Sequence, residues 1–157
     1  AAAADAKGDR RRHRGGGVGA TSSQSQVIAL DTNVLLRLFV ADDATQAATA
    51  RRVASEVAGR GETMFINTVV LAELAWVLRS RHGRSRNDVT QVVGSLLDDD
   101  LFTVEDRVDV AAALSDSESL GGDFADCLIA RRNLAAGCET TLTFDKLAQR
   151  HPGFRAP

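Results

Sequence analysis

The sequence predicts an α/β protein, built as a three-layer α/β/α sandwich around a central parallel sheet. Short apolar runs alternate along the chain with longer segments whose apolar residues recur at helical spacing. Aromatic residues make up only 4% of the chain, so the core consists mainly of Val, Leu, Ile and Ala, as is typical of parallel strands covered by helices. A length of 157 residues suits a single domain.

Four short apolar runs predict the strands of the sheet, because each run is too short for a buried helix and is followed by a capping or turn-forming residue. These runs are VIALD (27–31), MFIN (64–67), LFTVE (101–105) and TTLTF (140–144). Helical segments separate all four of them. The order therefore implies one parallel sheet with helices on both faces.

The helices between the strands are predicted from capping residues and from apolar side chains that recur on one face. The clearest start is Ser85-x-x-Asp88, which resembles a capping box with Asp in place of the usual Glu. The other predicted helices are 32–39, a helix capped by Asp42 or Asp43 that runs to about residue 58, one capped by Thr68, 107–119, one that begins at Asp123 and ends near Gly137, and a last turn near Asp145.

The first 26 residues differ in composition from the rest of the chain. They are rich in Ala, Gly, Ser and Arg, carry five basic and two acidic side chains, and begin without Met. We therefore expect a disordered, low-complexity basic tail or an expression remnant at 1–26. Residues 27–157 hold 14 basic and 19 acidic side chains and form the predicted folded domain. An acidic domain of this kind is not a general nucleic-acid-binding module, but metal ions in an acidic pocket allow it to bind a polyanion locally.

Two further observations narrow the function. The chain has no apolar run as long as a membrane span and no signal peptide with an apolar central region, so we expect a cytoplasmic protein without a membrane partner. The three histidines, His13, His82 and His151, are not spaced as metal ligands, which disfavours zinc.

Four acidic residues lie in apolar settings at the points where predicted strands give way to helices. They are Asp31 in VIALDTNVLL, Glu73 in VVLAELAWVL, Asp126 in DFADCLIA and Asp145 in TLTFDK. The carboxyl ends of parallel strands meet at one edge of a sheet, so we expect these side chains to lie close together. Clustered carboxylates repel one another unless a cation pairs with them, and Mg²⁺ or Mn²⁺ prefers such oxygen ligands.

Each acidic residue also has a purely structural interpretation. Asp31 and Asp145 can accept hydrogen bonds from backbone N–H groups as helix caps, and Glu73 can be a solvated helix residue. Asp123 and Asp126 are three residues apart and can both favour the N-terminus of one helix. Their combination at one edge of the sheet is what predicts a metal-binding active site for phosphate chemistry.

The predicted site contains ligands and orienting residues. The expected catalytic residues and metal ligands are Asp31, Glu73, Asp126 and Asp145. Asp123 is a further candidate ligand that replaces or supports Asp126. Asn33 and Thr143 are expected to orient the carboxylates, a water molecule or a phosphate oxygen around the metal. The expected phosphate contacts are arginines, namely Arg37 and the cluster Arg79, Arg81, Arg84 and Arg86, for which a solvated loop is the alternative explanation.

Taken in order, these motifs resemble those of the PIN-domain ribonucleases, and specifically the VapC toxins of bacterial type II toxin–antitoxin pairs. The resemblance rests on DTNVLL at Asp31, VVLAEL at Glu73, DFADCLIA at Asp126 and TFDK at Asp145. It extends from about residue 27 to about residue 150, so the first 26 residues lie outside the family pattern.

The resemblance implies a PIN-like nuclease domain over 27–157 with an acidic pocket for Mg²⁺ or Mn²⁺. It implies an endoribonuclease that hydrolyses RNA with a metal-activated water. It also implies a homodimer and a small antitoxin whose C-terminal segment wraps the toxin and blocks the pocket. By position, Asp31, Glu73, Asp126 and Asp145 match the family's metal-site acids, and Asp123 matches an accessory acidic position. The choice between Asp123 and Asp126 as direct ligand, the number of metals and the RNA target stay open.

Two other classes of function remain as alternatives. A haloacid-dehalogenase-like phosphohydrolase also has a nucleophilic Asp at the end of its first strand, but Asn33 stands where that class needs a second Asp as general acid. A non-catalytic PIN-like module would bind RNA or a partner protein without cleaving RNA. The complete acidic set disfavours this second alternative.

Overall fold

The computed structural model describes residues 27–157. Its strands are β1 (Ile28–Ala29), β2 (Met64–Ile66), β3 (Phe102–Val104), β4 (Thr141–Leu142) and β5 (Phe154–Arg155). Its helices are α1 (Thr32–Phe39), α2 (Ala44–Gly59), α3 (Thr68–Ser80), α4 (Arg86–Asp98), α5 (Arg107–Leu120) and α6 (Phe124–Ala135), with a short 3-10 helix at Ala148–Arg150. The predicted tail at 1–26 lies outside the described residues, so its character and the domain boundary stay predictions.

Strands β1, β2 and β3 form a parallel sheet in that order. Met64 in the middle strand aligns with Ile28 on one side and with Phe102 on the other, so the three strands end at the same edge. Helices connect successive strands, as parallel pairing requires. The predicted α/β class with a central parallel sheet is confirmed.

The carboxyl edge of this sheet leads directly into helix caps. Asp31 follows β1 and accepts a 2.8 Å hydrogen bond from the backbone N–H of Val34 in α1. Asn67 follows β2 and accepts a hydrogen bond of the same length from the backbone N–H of Val70 in α3. The prediction that Thr68 caps α3 was wrong, because Asn67 takes the extended cap conformation and Thr68 is already helical.

Helix α4 begins with the predicted capping box. The Ser85 hydroxyl accepts the backbone N–H of Asp88 at 3.1 Å, and the Asp88 carboxylate accepts the backbone N–H of Ser85 at 2.8 Å. The shorter Asp side chain therefore replaces Glu without loss of either bond. Helix α2 is capped by Asp43, whose carboxylate accepts the backbone N–H of Gln46 at 2.9 Å.

The main core is aliphatic, and α3 is central to it. Leu71 and Leu74 on this helix are fully buried, and the helix packs against α1, α4 and α6. Burial of each such Leu side chain stabilises the fold by roughly 1.5–3 kcal/mol. Because Leu71 and Leu74 face the core, Glu73 and Trp76 on the same helix face solvent. Within residues 27–157, no helix has the length and apolar character needed to cross a membrane.

The fourth predicted strand does not join the three-stranded sheet. Thr141–Leu142 pairs in parallel with Phe154–Arg155, and β4 and β5 form a separate two-stranded sheet. The prediction of one four-stranded sheet was wrong here, because the partner strand is only two residues long and carries no alternating pattern. Leu142 and Phe144 stay exposed instead of entering the main core.

A polar cluster attaches this C-terminal segment to the helices. Asp116 on α5 accepts two hydrogen bonds from Arg131 on α6, at 2.5 and 2.7 Å. The buried ring of His151 accepts the backbone N–H of Gly153 at Nδ1, at 2.9 Å. Nε2 therefore carries the ring hydrogen and donates a hydrogen bond to Asp116 at 2.9 Å. These contacts join α5, α6 and the turn before β5.

We predict that Asp116→Asn lowers the free energy of unfolding by about 1.5–3 kcal/mol, because Arg131 and His151 both lose a charged acceptor. Arg131 is more than one-third exposed, so solvent screening keeps the loss near the lower end of that range. Urea unfolding measures the change. Asp100→Asn is the matched control, since Asp100 is exposed and forms no ion pair within the described part of the chain. Equal effects of the two substitutions would contradict the assigned contacts.

The same cluster predicts a pH dependence of stability. The hydrogen bond from Arg131 holds the pKa of Asp116 below its ordinary value, and His151 contributes in the same direction against the effect of burial. A depressed pKa in the folded state adds stability above the unfolded pKa of about 3.9, and this stability is lost as the pH falls through the folded value. We expect the stability difference between the wild type and Asp116→Asn to hold from pH 7 to about 5 and to shrink below about pH 4. Urea titrations at successive pH values test this, and an unchanged difference throughout would refute it.

Candidate active site

Asp31 lies directly after β1, at the predicted edge of the sheet. Its side chain is exposed, and its Oδ1 caps α1 through the backbone N–H of Val34. Capping engages one of the two carboxylate oxygens, and a carboxylate can accept further bonds at the other. The structural interpretation of Asp31 is therefore correct, and it leaves room for a ligand role.

Thr32 connects the start of α1 to Glu73. The Thr32 side chain is packed in the protein and its hydroxyl donates a hydrogen bond to Oε2 of Glu73. Glu73 itself is exposed on α3. Because Thr32 is the neighbour of Asp31 in the chain, this contact brings the Glu73 carboxylate to the N-terminus of α1, where negative charge is favourable.

Asp126 is half-buried in the first turn of α6 and lies near two other carboxylates. Burial raises the pKa of Asp126 above its ordinary value, and the charges of Asp123 and Asp145 raise it further, whereas the charge of Arg86 lowers it. Asp123 and Asp126 thus line one cleft, and Asp145 of the C-terminal segment lies near enough for its charge to act on Asp126. Such a group of like charges favours the binding of a cation or a proton.

Asp123 is the N-cap residue of α6, but its side chain makes no capping hydrogen bond. Its Oδ1 instead accepts a hydrogen bond from Nε of Arg86 at 2.8 Å, and Nε of Arg79 lies 3.5 Å away. These two arginines flank the loop between α3 and α4. Asp126 forms no ion pair among residues 27–157. Of Asp123 and Asp126, it is therefore the one whose carboxylate is not neutralised by an arginine.

Asp145 and Thr143 lie between β4 and the 3-10 helix. Asp145 is exposed, and its Oδ1 accepts the backbone N–H groups of Leu147 at 2.7 Å and Ala148 at 3.3 Å. The Thr143 hydroxyl accepts the backbone N–H of Asp145 at 3.1 Å. Thr143 therefore holds the backbone of Asp145 in place, and its orienting role at a metal stays a prediction.

Two surface clefts lie at the site. Asp123 and Asp126 line one, Glu73 lines the other, and Trp76 borders both. The polar lining of the first, which we call the Asp126 cleft, consists of Arg79, Arg86, Asp123 and Asp126. The second, which we call the Glu73 cleft, includes Thr32, Asn33, Arg37, Glu73, Arg81 and His82. The predicted orienting residue Asn33 thus lies at the Glu73 cleft, where its side chain is exposed.

The remaining predicted phosphate-binding arginines differ in their engagement. Arg37 forms an ion pair with Asp42, which occupies its charge. The guanidinium of Arg81 lies over the indole ring of Trp76, 5.9 Å from its centroid. Arg81 and Arg84 form no ion pair within the part of the chain that the structure describes. They are the members of the cluster best placed to contact a phosphate, and RNA binding by the cluster stays a prediction.

The donor chemistry of the site fits a hard cation, although the carboxylates form two sets. Glu73 lies beside α1, and Asp126 lies with Asp123 and Asp145, while α3 packs against both α1 and α6. Among residues 27–157, no group of three or more His, Cys, Asp or Glu side chains is spaced to hold a metal ion by itself. Mg²⁺ is commonly bound by one or two carboxylates, with water and a substrate phosphate as its other ligands. Asp126 is the donor that such an ion would stabilise most, because its neighbours oppose its charge.

Sequence reasoning missed a further carboxylate at the carboxyl edge of the main sheet. Glu105 follows β3 and accepts hydrogen bonds from the backbone N–H and the hydroxyl of Thr68, at 2.8 and 2.9 Å. These bonds lower the pKa of Glu105 and tie it to the start of α3. Its position after LFTV was a usable signal, since Asp31 follows VIAL in the same way. The two bonds give Glu105 a structural role.

The family profile of the PIN domain matches residues 28–153 of this chain. The match begins at the first residue of β1 and runs past the 3-10 helix, so it includes every element except β5. The chain therefore belongs to the PIN-domain family.

A curated relative, the VapC ribonuclease of Aquifex aeolicus (strain VF5), is 29% identical over 117 residues, which are 74% of this chain and 86% of that protein. The family resemblance predicted from the motifs is thus confirmed, and it includes similarity to a VapC protein. The roles assigned to the individual acidic residues stay predictions.

We predict opposite pKa shifts for Asp126 when its neighbours are changed. Asp123→Asn removes a like charge and should lower the pKa of Asp126, whereas Arg86→Met removes a cation and should raise it. Carboxyl-carbon NMR titration measures both shifts, with Asp98→Asn on the far part of α4 as the control. Shifts of the same sign in the two variants would show that Coulomb contacts do not govern this carboxyl.

Proposed function

We propose that this protein is a metal-dependent endoribonuclease that acts as the toxin of a type II toxin–antitoxin pair. Membership of the PIN-domain family and similarity to a VapC ribonuclease support a nuclease. The structural observation that carries the proposal is the position of Asp126, half-buried beside Asp123 in the Asp126 cleft. Burial raises its pKa, and the charges of Asp123 and Asp145 raise it further. Such carboxylates at the edge of a parallel sheet are suited to metal-assisted phosphate chemistry.

The proposed reaction is hydrolysis of an RNA phosphodiester. The oxygen of a water molecule forms a bond to phosphorus, one P–O ester bond breaks, and the leaving oxygen takes a proton. When bound, Mg²⁺ or Mn²⁺ supplies the positive charge that activates the water and offsets the charge developing on the phosphate. No protein side chain is required as a nucleophile.

In this proposal, the carboxylates have distinct roles. Asp31, Glu73 and Asp126 hold the metal directly or through water, and Asp145 orients the attacking water or supports a second ion. Asp126 rather than Asp123 is the direct ligand, because Arg86 and Arg79 already neutralise Asp123.

The surrounding polar residues orient these carboxylates. Thr32 fixes Glu73 through its hydroxyl, and Thr143 fixes the backbone of Asp145. Asn33 lies at the Glu73 cleft, where it can donate to a phosphate oxygen. The ion pairs that Arg79 and Arg86 make with Asp123 hold the wall of the Asp126 cleft in place, which preorganises the site before substrate binds.

The partners in this proposal follow from the VapC resemblance. We propose a small antitoxin whose C-terminal segment covers the acidic site, and a homodimer as the toxin's assembly. Since RNA is the proposed substrate, the activity is proposed for the cytoplasm.

We predict that the purified protein cleaves structured RNA with Mg²⁺ or Mn²⁺ and that EDTA stops cleavage. Asp31→Asn and Asp126→Asn should each reduce the cleavage rate by a factor on the order of 100 or more, because each removes a proposed metal ligand. Asp123→Asn should reduce it less, since Asp123 is engaged by arginines. Gel analysis of labelled RNA measures the rates, and Asp98→Asn serves as the control for a change of charge away from the site.

The same preparation distinguishes the alternatives. Hydrolysis of p-nitrophenyl phosphate with RNA left intact would replace this proposal by a phosphohydrolase. Binding of RNA without cleavage would indicate a non-catalytic module. Denaturing mass spectrometry of the purified sample identifies a co-purified antitoxin, whose removal must precede either conclusion.

A further inference from the structure

Trp76 is a large exposed side chain at the centre of the candidate site. It is 57% exposed, and it lies three residues after Glu73 on α3, so the two side chains are neighbours on one helix face. Its ring borders both the Asp126 cleft and the Glu73 cleft. The ring belongs to neither hydrophobic core cluster, and Trp side chains are enriched at binding surfaces.

The surroundings of Trp76 are charged. Arg81 lies over its ring, Arg79 lines the cleft on one side, and His82 lines the cleft on the other. An apolar protein surface placed over Trp76 would have to bury the guanidinium of Arg81, which forms no ion pair among residues 27–157, and burial of an unpaired charge is costly. A nucleic acid strand matches both features of this surface, because its bases can stack on the indole ring and its phosphates can pair with the arginines.

We propose that Trp76 is a stacking site for one unpaired base of the RNA substrate, with Arg81 contacting the adjacent phosphate. This inference rests on the proposed nuclease function and adds a base-contacting residue to it. Indole and guanidinium planes both stack on bases, so a base can rest on the ring while Arg81 stays in contact with the strand. More than half of the surface of Trp76 is exposed with Arg81 already in place, which leaves room for the base.

The proposal restricts the substrate to single-stranded segments and loops. In a duplex, each base is stacked on its neighbours and paired, so it presents no free face to Trp76. A base displaced onto Trp76 would leave its phosphodiester near the carboxylate of Glu73, one helix turn away on α3. Because every base has a flat face, stacking alone selects for unpaired RNA without selecting a sequence.

The chain offers a direct optical test, because Trp76 is its only Trp and Tyr is absent. Fluorescence excited in the Trp band therefore reports on this one site. The full-length Asp126→Asn protein in EDTA, which should not cleave, is titrated with a short single-stranded RNA, with the same RNA lacking one base, and with its duplex. We expect quenching by the single strand, weaker quenching by the abasic strand, and little quenching by the duplex. Binding of the single strand by anisotropy without any quenching would overturn the proposal.

Variants of Trp76 give the second test. Trp76→Ala should weaken binding of single-stranded RNA about 5- to 150-fold, and Trp76→Phe should weaken it less because a ring remains. In cleavage assays, KM should rise by the same factor while kcat changes little, as expected for a contact made equally in the ground and transition states. Val69→Ala is the matched control, since Val69 is 74% exposed on the same helix. Unchanged KM in Trp76→Ala would refute the stacking role.

The outcomes separate this inference from the proposed function. Quenching by RNA in a protein that never cleaves RNA would support the stacking site and refute the proposed nuclease function. Cleavage with normal KM in Trp76→Ala would keep the nuclease and remove the stacking site. A fluorescence change on dilution of the protein alone, with Trp76→Ala monomeric by sedimentation, would assign the ring to a contact between two copies of the chain and overturn the proposal. Thermal unfolding of both Trp76 variants confirms that any loss does not come from misfolding.

Discussion

Repulsion among carboxylates is the constraint on which the candidate site depends. The acidic residues come from one end of the main sheet, from the separate sheet and from helices α3 and α6, and each negative charge needs a donor or a cation. Backbone N–H groups donate hydrogen bonds to Asp31 and Asp145, and the Thr32 hydroxyl donates one to Glu73. Arg86 forms an ion pair with Asp123, and Asp126 is left as the carboxylate of this site whose pKa is raised. The fold can therefore tolerate the cluster without a metal and still favour a cation at one position.

The elements predicted best from the sequence were those with local signals. Caps at Asp31, Asp43 and Ser85 mark helix starts because the capping bonds form within three residues. The three main strands were found because each lies in a short apolar run, although Ile28 and Ala29 of β1 are exposed. The fourth was found, but it was placed in the wrong sheet, since its pairing depends on a two-residue partner at Phe154–Arg155 with no periodic signal.

The position of Asp31 at the carboxyl edge of the main sheet was predictable because it directly follows an apolar strand, whereas the roles of the acidic residues stay predictions. The sequence could not predict the ion pair of Arg86 with Asp123 or the contact of Thr32 with Glu73, which join residues 37 and 41 positions apart. Such contacts depend on how helices pack, and no local spacing encodes that. Helix capping and metal binding were weighed as alternatives for Asp31, yet a carboxylate has enough lone pairs for both.

The separate C-terminal sheet has a consequence for the lifetime of the site. The segment that carries Asp145 is attached by side-chain contacts, among them that of His151 with Asp116, rather than by the ladder of the main sheet. Segments held in this way open locally at a lower free energy than the core. The acidic site is therefore built from two separately attached parts, and local opening of the C-terminal segment would carry Asp145 away from Asp126 while the main sheet and its helices stay folded.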